Sequence, residues 1–195
     1  QHFPALSPID RFRHAMAYDG GRQNTVLFDG LTPSCCPNET WTWDGFTWTE
    51  VLPAAPFAAD AAMAYDAARD RVVLFGGIDG VGAPQNETLL WDGVLWTQAF
   101  PPQSPPARSN HAMAYDPVRQ KVVLFGGNTT QFGMTPVNDT WTWDGVTWTE
   151  EHPTGLKPSP RLSSRMAFHE ARGSTFLFGG WQIPLRVGDT WSWDG

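Results

Sequence analysis

The residues best suited to chemistry in this chain are two histidines, each three positions after an arginine. His14 follows Arg11 and His111 follows Arg108, in stretches that otherwise read alike. Histidine titrates near neutrality and ligates metals, so two converging copies would suit acid–base or metal work. A third copy of the stretch carries Ala58 and Ala61 instead, losing the arginine and the histidine together. Paired loss is the mark of a contact, so Arg11, His14, Arg108 and His111 are read as structural contacts between neighbouring units. No metal site is assigned. The carboxylates are read the same way: Asp19, Asp66 and Asp116 open turns, while Asp44, Asp92, Asp144 and Asp194 begin Asp-Gly hairpins. No glycine-rich phosphate loop, serine nucleophile elbow or HExxH zinc motif occurs. The expectation is a protein without catalytic residues and without a cofactor.

Cys35 and Cys36 are adjacent and are the two cysteines of the chain. They fit a vicinal disulfide, pairing with other chains, or two free thiols; an oxidising compartment favours the first. Two adjacent thiols cannot supply a tetrahedral zinc set. Asn38, Asn86, Asn128 and Asn138 each begin an N-glycosylation acceptor pattern. Three of them share one repeat position at the entry to a strand, where asparagine favours a turn, and the structural reading is preferred.

What must position these residues is an internal repeat. The phrases His14–Asp19, Ala61–Asp66 and His111–Asp116, with a weaker copy at Ser164–His169, are each followed by an apolar run closing on glycine, then by Trp-Asp-Gly. A period of about 50 residues with a glycine pair and a spaced tryptophan is a propeller signature. Repeats fall at 11–50, 58–98, 108–150 and 161–195, within a single segment covering 1–195. In the third, His111–Tyr115 alternates large and small residues as a two-faced strand does, the small face suiting a crowded axis. Val122–Phe125 is apolar on both faces and should lie between blades. Gly126-Gly127 marks a close approach of backbones or a positive φ. Thr140–Trp143 and Val146–Thr149 are read as strands three and four around Asp144-Gly145. Four antiparallel strands per unit make one blade, so the fold class is all-β, a propeller of four such blades.

In such a meander the second-to-third loops (30–39, 77–87, 127–139, 180–188) share one face with the interblade linkers (51–59, 99–109, 151–162). Recognition concentrates on variable loops carried by a rigid scaffold, so this long-loop face is the expected binding face. The residues on it that repeat packing does not explain are the best binding candidates. Trp181 follows a glycine pair where other copies have Leu31, Ile78 and Asn128; Gln182 and Arg186 share its loop. Arg165 replaces a small residue of the first strand, and Asn128, Phe132 and Met134 lie in the longest loop and complete the candidate set. A tryptophan beside arginine and glutamine suits a sugar or peptide rim.

The glycine pairs, the tyrosines at 18, 65 and 115, and Trp48, Trp96 and Trp148 after each Asp-Gly turn resemble kelch repeats of the secreted bacterial galactose-oxidase-like group. The resemblance covers essentially the whole chain. It implies a kelch-type β-propeller but no single function, since such propellers serve as binding platforms, scaffolds and occasional enzymes. The oxidase chemistry of that group needs copper held by tyrosine and histidine, with a cysteine crosslinked to one tyrosine. Here the three tyrosines occupy one repeat position and the cysteines share a loop, so that activity is not carried over.

The opening Gln1–Pro4 matches Gln98–Pro101, the tail of a blade, and Trp193–Gly195 stops short of a fourth strand. The last blade is therefore expected to lack its outer strand and the segment to belong to a larger ring or array; such rings hold about six or seven blades.

Composition agrees with a folded all-β chain: 41% hydrophobic residues, 11 Trp, 19 Gly and 17 Pro in 195 residues. Thirteen basic against 20 acidic residues, net charge −7, lack the basic footprint of nucleic-acid binding. No apolar run reaches the ~20 residues of a membrane span. The function expected is an extracellular, non-catalytic scaffold or binding module recognising glycan or protein through the long-loop face. The alternatives are a subunit of an assembly with further copies of itself, completed by strand or blade sharing, and a fragment of an oxidase-like enzyme whose site lies elsewhere.

Overall fold

The computed structural model describes residues 6–33, 38–52 and 58–195. Cys35 and Cys36 lie outside them. Fifteen strands form four antiparallel sheets, each a meander in chain order. Blade 1 is β1 (Ala15–Asp19), β2 (Asn24–Phe28), β3 (Thr40–Trp43) and β4 (Trp48–Val51). Blade 2 is β5 (Ala62–Asp66), β6 (Arg71–Phe75), β7 (Thr88–Trp91) and β8 (Trp96–Ala99). Blade 3 is β9 (Ala112–Asp116), β10 (Lys121–Phe125), β11 (Thr140–Trp143) and β12 (Trp148–Glu151). Blade 4 has three strands, β13 (Arg165–His169), β14 (Ser174–Gln182) and β15 (Leu185–Trp193). The chain is thus a four-bladed β-propeller with a three-stranded last blade.

Strand alternation gives each blade two apolar faces, one for each neighbour. Ala15, Val26 and Phe28 of blade 1 pack against Met63, Val72, Leu74, Leu89 and Trp91 of blade 2. Ala64, Val73 and Phe75 of blade 2 meet Met113, Val122, Leu124, Trp141 and Trp143 of blade 3. Ala112 and Phe125 then meet Leu177, Met166 and Trp191 of blade 4. The small alanine face expected near the axis thus serves to admit the methionine and tryptophan of the next blade. The fourth-strand tryptophan locks each joint. Trp96 Nε1 donates to Thr40 Oγ1 at 2.9 Å and its ring meets Phe28 edge-on at 5.0 Å. Trp148 repeats this with Thr88 (2.9 Å) and Phe75 (5.1 Å).

Two element boundaries differ from expectation. The fourth strands begin at Trp48, Trp96 and Trp148, later than the run from Val146 suggests. The Asp144 carboxylate accepts the N–H groups of Val146 (2.9 Å) and Thr147 (2.8 Å), so the turn extends through Thr147 before pairing resumes. In blade 4 the expected loop 180–188 is a long hairpin: β14 and β15 pair as far as Gln182 with Leu185, closing through a cis Ile183–Pro184 bond.

Candidate binding site

The three interblade linkers and the segment before blade 1 arrive at the first strands by one repeated device. Phe12, Ala59, Ser109 and Leu162 each form a bridge with Leu31, Ile78, Asn128 and Trp181, the residue after the glycine pair. Gly30, Gly77, Gly127 and Gly180 lie beneath these bridges at φ from +99 to +113, and a Cβ on any of them would come within 2.7–3.0 Å of the linker carbonyl. That close approach, with the positive φ, is why glycine stands there.

The next residue of each linker, Arg13, Asp60, Asn110 and Ser163, has a left-handed backbone, with φ between 57 and 61. This conformation lets consecutive blades hydrogen-bond around the axis. Asp60 N–H donates to Arg13 carbonyl (2.9 Å), Asn110 N–H to Asp60 carbonyl (2.9 Å), and Ser163 N–H to Asn110 carbonyl (2.8 Å). The result is a backbone collar holding four unlike side chains at one level. Non-glycine residues held left-handed are uncommon and gather at functional sites.

Beneath the collar lies a basin of about 410 Å³, lined by four matching quartets: 13–16, 60–63, 110–113 and 163–166. Its floor is repetitive, with Met16, Met63, Met113 and Met166. Its wall is not: Arg13, Asp60, Asn110, Ser163 and Arg165 differ in charge and hydrogen-bonding capacity. The Arg13 guanidinium stands 3.5 Å from Asp60, and Ser163 Oγ donates to Asn110 Oδ1 at 3.3 Å. Burial raises the Asp60 carboxyl above its ordinary pKa, against the pull of Arg13 and Asn110. The quartets that line the basin sit at the starts of the first strands, the end of the sheets from which the interblade linkers enter.

His14 and His111 both line this basin, so the repeat does converge them on the axis. Among the described residues no Arg–His hydrogen bond is formed. The Arg108 guanidinium is spent on Asp139, with two bonds of 2.7 Å, and on the Gly126 carbonyl at 3.0 Å. Arg11 bonds Glu39 at 2.6 Å and the Asp29 carbonyl at 3.2 Å. Arg161, not singled out by sequence, does the same with Asp189 and the Gly179 carbonyl. A carboxylate is a better guanidinium partner than an imidazole, being charged and matched to its planar fork. His111 is instead wedged between blades, edge-on to Phe75 at 5.6 Å. Burial, then the charge of Arg108, pushes its pKa down to about 3, so it is neutral at pH 7. Burial, then the charge of Arg11, lowers His14 in the same way. Among the described residues no group of three metal-ligating side chains occurs.

The other candidates divide among three places. Arg165 is exposed at the basin wall. Trp181, Arg186 and Gln182 form a separate cluster on the blade 4 hairpin: Arg186 lies over the indole at 5.5 Å, and Gln182 accepts from Ser159 Oγ at 2.9 Å. Asn128 organises its own loop, donating to the Thr130 carbonyl and accepting from Thr130 and Thr135, while Phe132 stands 86% exposed at the tip. Of the acceptor asparagines, Asn86 is exposed, and Asn138 spends its amide on the Pro158 carbonyl. The left-handed collar has one signal in the sequence, the polar residue placed before the alternating strand in every repeat. No helix is long and apolar enough to cross a membrane among the described residues. No family model and no curated protein matches the chain.

Proposed function

We propose that this propeller is a secreted, kelch-type recognition module that binds a polar ligand, a glycan before a protein, in the axial basin of its long-loop face. The observation that carries this reading is the contrast inside the basin. Four superposed quartets keep the methionine floor constant while the collar side chains vary between cationic, anionic, amide and hydroxyl. Packing explains the constant positions. It gives no reason for Arg13, Asp60, Asn110, Ser163 and Arg165 to converge around about 410 Å³ of accessible space. Amide, hydroxyl and charged groups at fixed spacing suit the hydroxyls of a sugar, and a rigid rim lowers the ordering cost of binding. The reading is non-catalytic.

Glycan-array screening followed by calorimetry tests it. Asn110→Ala and Arg165→Ala should each weaken binding of a retained glycan by roughly tenfold, the scale of one lost hydrogen bond to a charged or buried group. Retention of full affinity in both, with loss in Trp181→Ala, would move the site to the blade 4 hairpin. Absence of any glycan ligand would remove the sugar reading.

A second reading, an assembly subunit, is favoured by one observation: Phe178, the blade 4 counterpart of buried Phe28, Phe75 and Phe125, is 58% exposed. In that reading a blade from another copy covers it.

A further inference from the structure

Three of the four blades hold an arginine inside themselves by one arrangement. The guanidinium meets an acid (Glu39, Asp139 or Asp189), and the same acid accepts the indole N–H of the tryptophan two residues later. Trp41, Trp141 and Trp191 donate at 2.8, 2.7 and 2.6 Å. A backbone carbonyl of the glycine-pair segment completes each guanidinium site. Blade 2 keeps the acid, Glu87, and the carbonyl, Gly76, but has Ala58 for the arginine and Leu89 for the tryptophan. Both donors are gone and the acceptor remains. Among the described residues no hydrogen bond or ion pair reaches the Glu87 carboxylate. Among the described residues the space is not refilled: a hollow of about 250 Å³ opens there, lined by Ala58, Gly76, Asp79, Gln85, Glu87 and Gln98 with Leu74 and Leu89.

We propose that this hollow binds a guanidinium group brought by a ligand, the arginine side chain of a partner peptide being the form that fits. The other three blades supply the template. Where a guanidinium belongs to the chain, it takes a backbone carbonyl and an acid, through both oxygens of Asp139 and Asp189 and one of Glu39, a directed planar pattern that an ammonium matches less well. In blade 2 the acceptors stand at the corresponding positions with the donor removed. Asp79 adds a second negative charge, although its Oδ1 already accepts the N–H groups of Val81 and Ala83. Leu74 and Leu89 offer apolar surface to the methylene stem. The hollow also lies on the long-loop face, beside the second-to-third loop of blade 2, where a partner can reach it. It shares no lining residue with the axial basin, so its failure leaves the glycan reading intact.

The test is titration of the whole chain with methylguanidinium, methylammonium and N-acetylarginine methylamide at constant ionic strength, followed by amide chemical shifts. Saturable shifts are expected at Gly76, Glu87 and Leu89, with methylammonium weaker by about tenfold. Tighter binding of the arginine amide supports a peptide partner, and equal binding supports a small guanidinium compound at the same site. Glu87→Gln should lose the response while remaining folded. Ala58→Arg should fill the hollow from within, raise Tm and abolish the shifts. The proposal is overturned by absence of saturable shifts, by methylammonium binding equally well, or by shifts that persist in Glu87→Gln.

Discussion

Arg108 and Arg161 are both fully buried, while their acids are not: Asp139 is one-fifth and Asp189 41% exposed. Removing the acid strands a buried cation, which costs about 3–5 kcal/mol; removing the arginine strands a carboxylate that water partly reaches, which costs less. Asp189→Ala should therefore destabilise clearly more than Arg161→Met in urea titrations, and equal losses would deny the difference in burial its role. Two further groups act through pH, with opposite signs. His111 has a folded pKa of about 3 against an ordinary 6.5, so the unfolded chain binds the extra proton between those values. Its contribution to stability is lost as pH falls through that window. Asp29, fully buried and left-handed where the next three copies have glycine, is raised to about 6 by burial, against the Ala58 N–H that bonds it at 2.6 Å. Here the folded state holds the extra proton, and stability falls as pH rises from about 4 to 6. His111→Ala should flatten the acid-side loss between pH 6.5 and 4, and Asp29→Asn should remove the opposing slope. Unfolding free energies measured at half-unit pH steps would separate them; unchanged slopes in either variant would contradict the assignment.

At the scale of elements, the turn between first and second strands is also a fastener. Asp19, Asp66 and Asp116 are buried and pair with Arg22, Arg69 and Arg119 three residues on, at 3.0, 2.8 and 2.8 Å. Each arginine then crosses to the following blade, to Asp70, the Gln120 carbonyl and the Gly173 carbonyl. Its stem lies on the Trp-Asp-Gly turn of that blade: a Cβ on Gly93, Gly145 or Gly195 would come within 2.0, 2.0 or 2.3 Å of the guanidinium Nε. Gly45, in blade 1, has nothing within 4 Å although its φ is the same +100. Gly145→Ala should thus cost more than Gly45→Ala, and a cycle with Arg69→Ala should show coupling of about 0.5–3 kcal/mol for Gly145. A cycle with no coupling would leave the turn conformation as the sole reason for glycine. The repeat made the strands legible because strand alternation and glycine placement are local. It marked Asp66 and Gly145 as turn residues, which they are, but hid that Arg69 joins them across blades. Partners some fifty to eighty residues apart leave no local pattern. His111 misled for the same reason: its spacing from Arg108 is visible, whereas the competing Asp139 is 31 residues away. The blade 4 hairpin is not legible in the sequence, because its residues depart from the repeat where its backbone does.

For the whole molecule, stability should be graded along the chain, because among the described residues each blade packs chiefly against its neighbours in sequence. Blades 2 and 3 have both faces covered: Val72, Val73, Phe75, Val122, Val123 and Leu124 are sealed from solvent. Blade 4 has one covered face. On its other side Phe178 and Arg165 are exposed, and no apolar cluster joins it to blade 1 among the described residues. Blade 1 shows the matching deficit, with Met16 45% and Tyr18 59% exposed. Local opening follows buried apolar contact, so amide exchange should be slowest in β6 and β10 and fastest in β13 to β15. The same grading sets the cost of truncating one repeated side chain. Phe125→Ala empties a packed joint and should cost about 3–5 kcal/mol. Phe178→Ala removes a ring already in water and should cost well under 1 kcal/mol, the ordinary range for surface changes. Both are read from urea midpoints at low protein concentration. If Phe178→Ala proves as costly as Phe125→Ala, and the cost grows with protein concentration, that face is covered in solution by another copy. The second reading of function would then displace the isolated module, because a blade face buried between chains is what an assembly subunit requires.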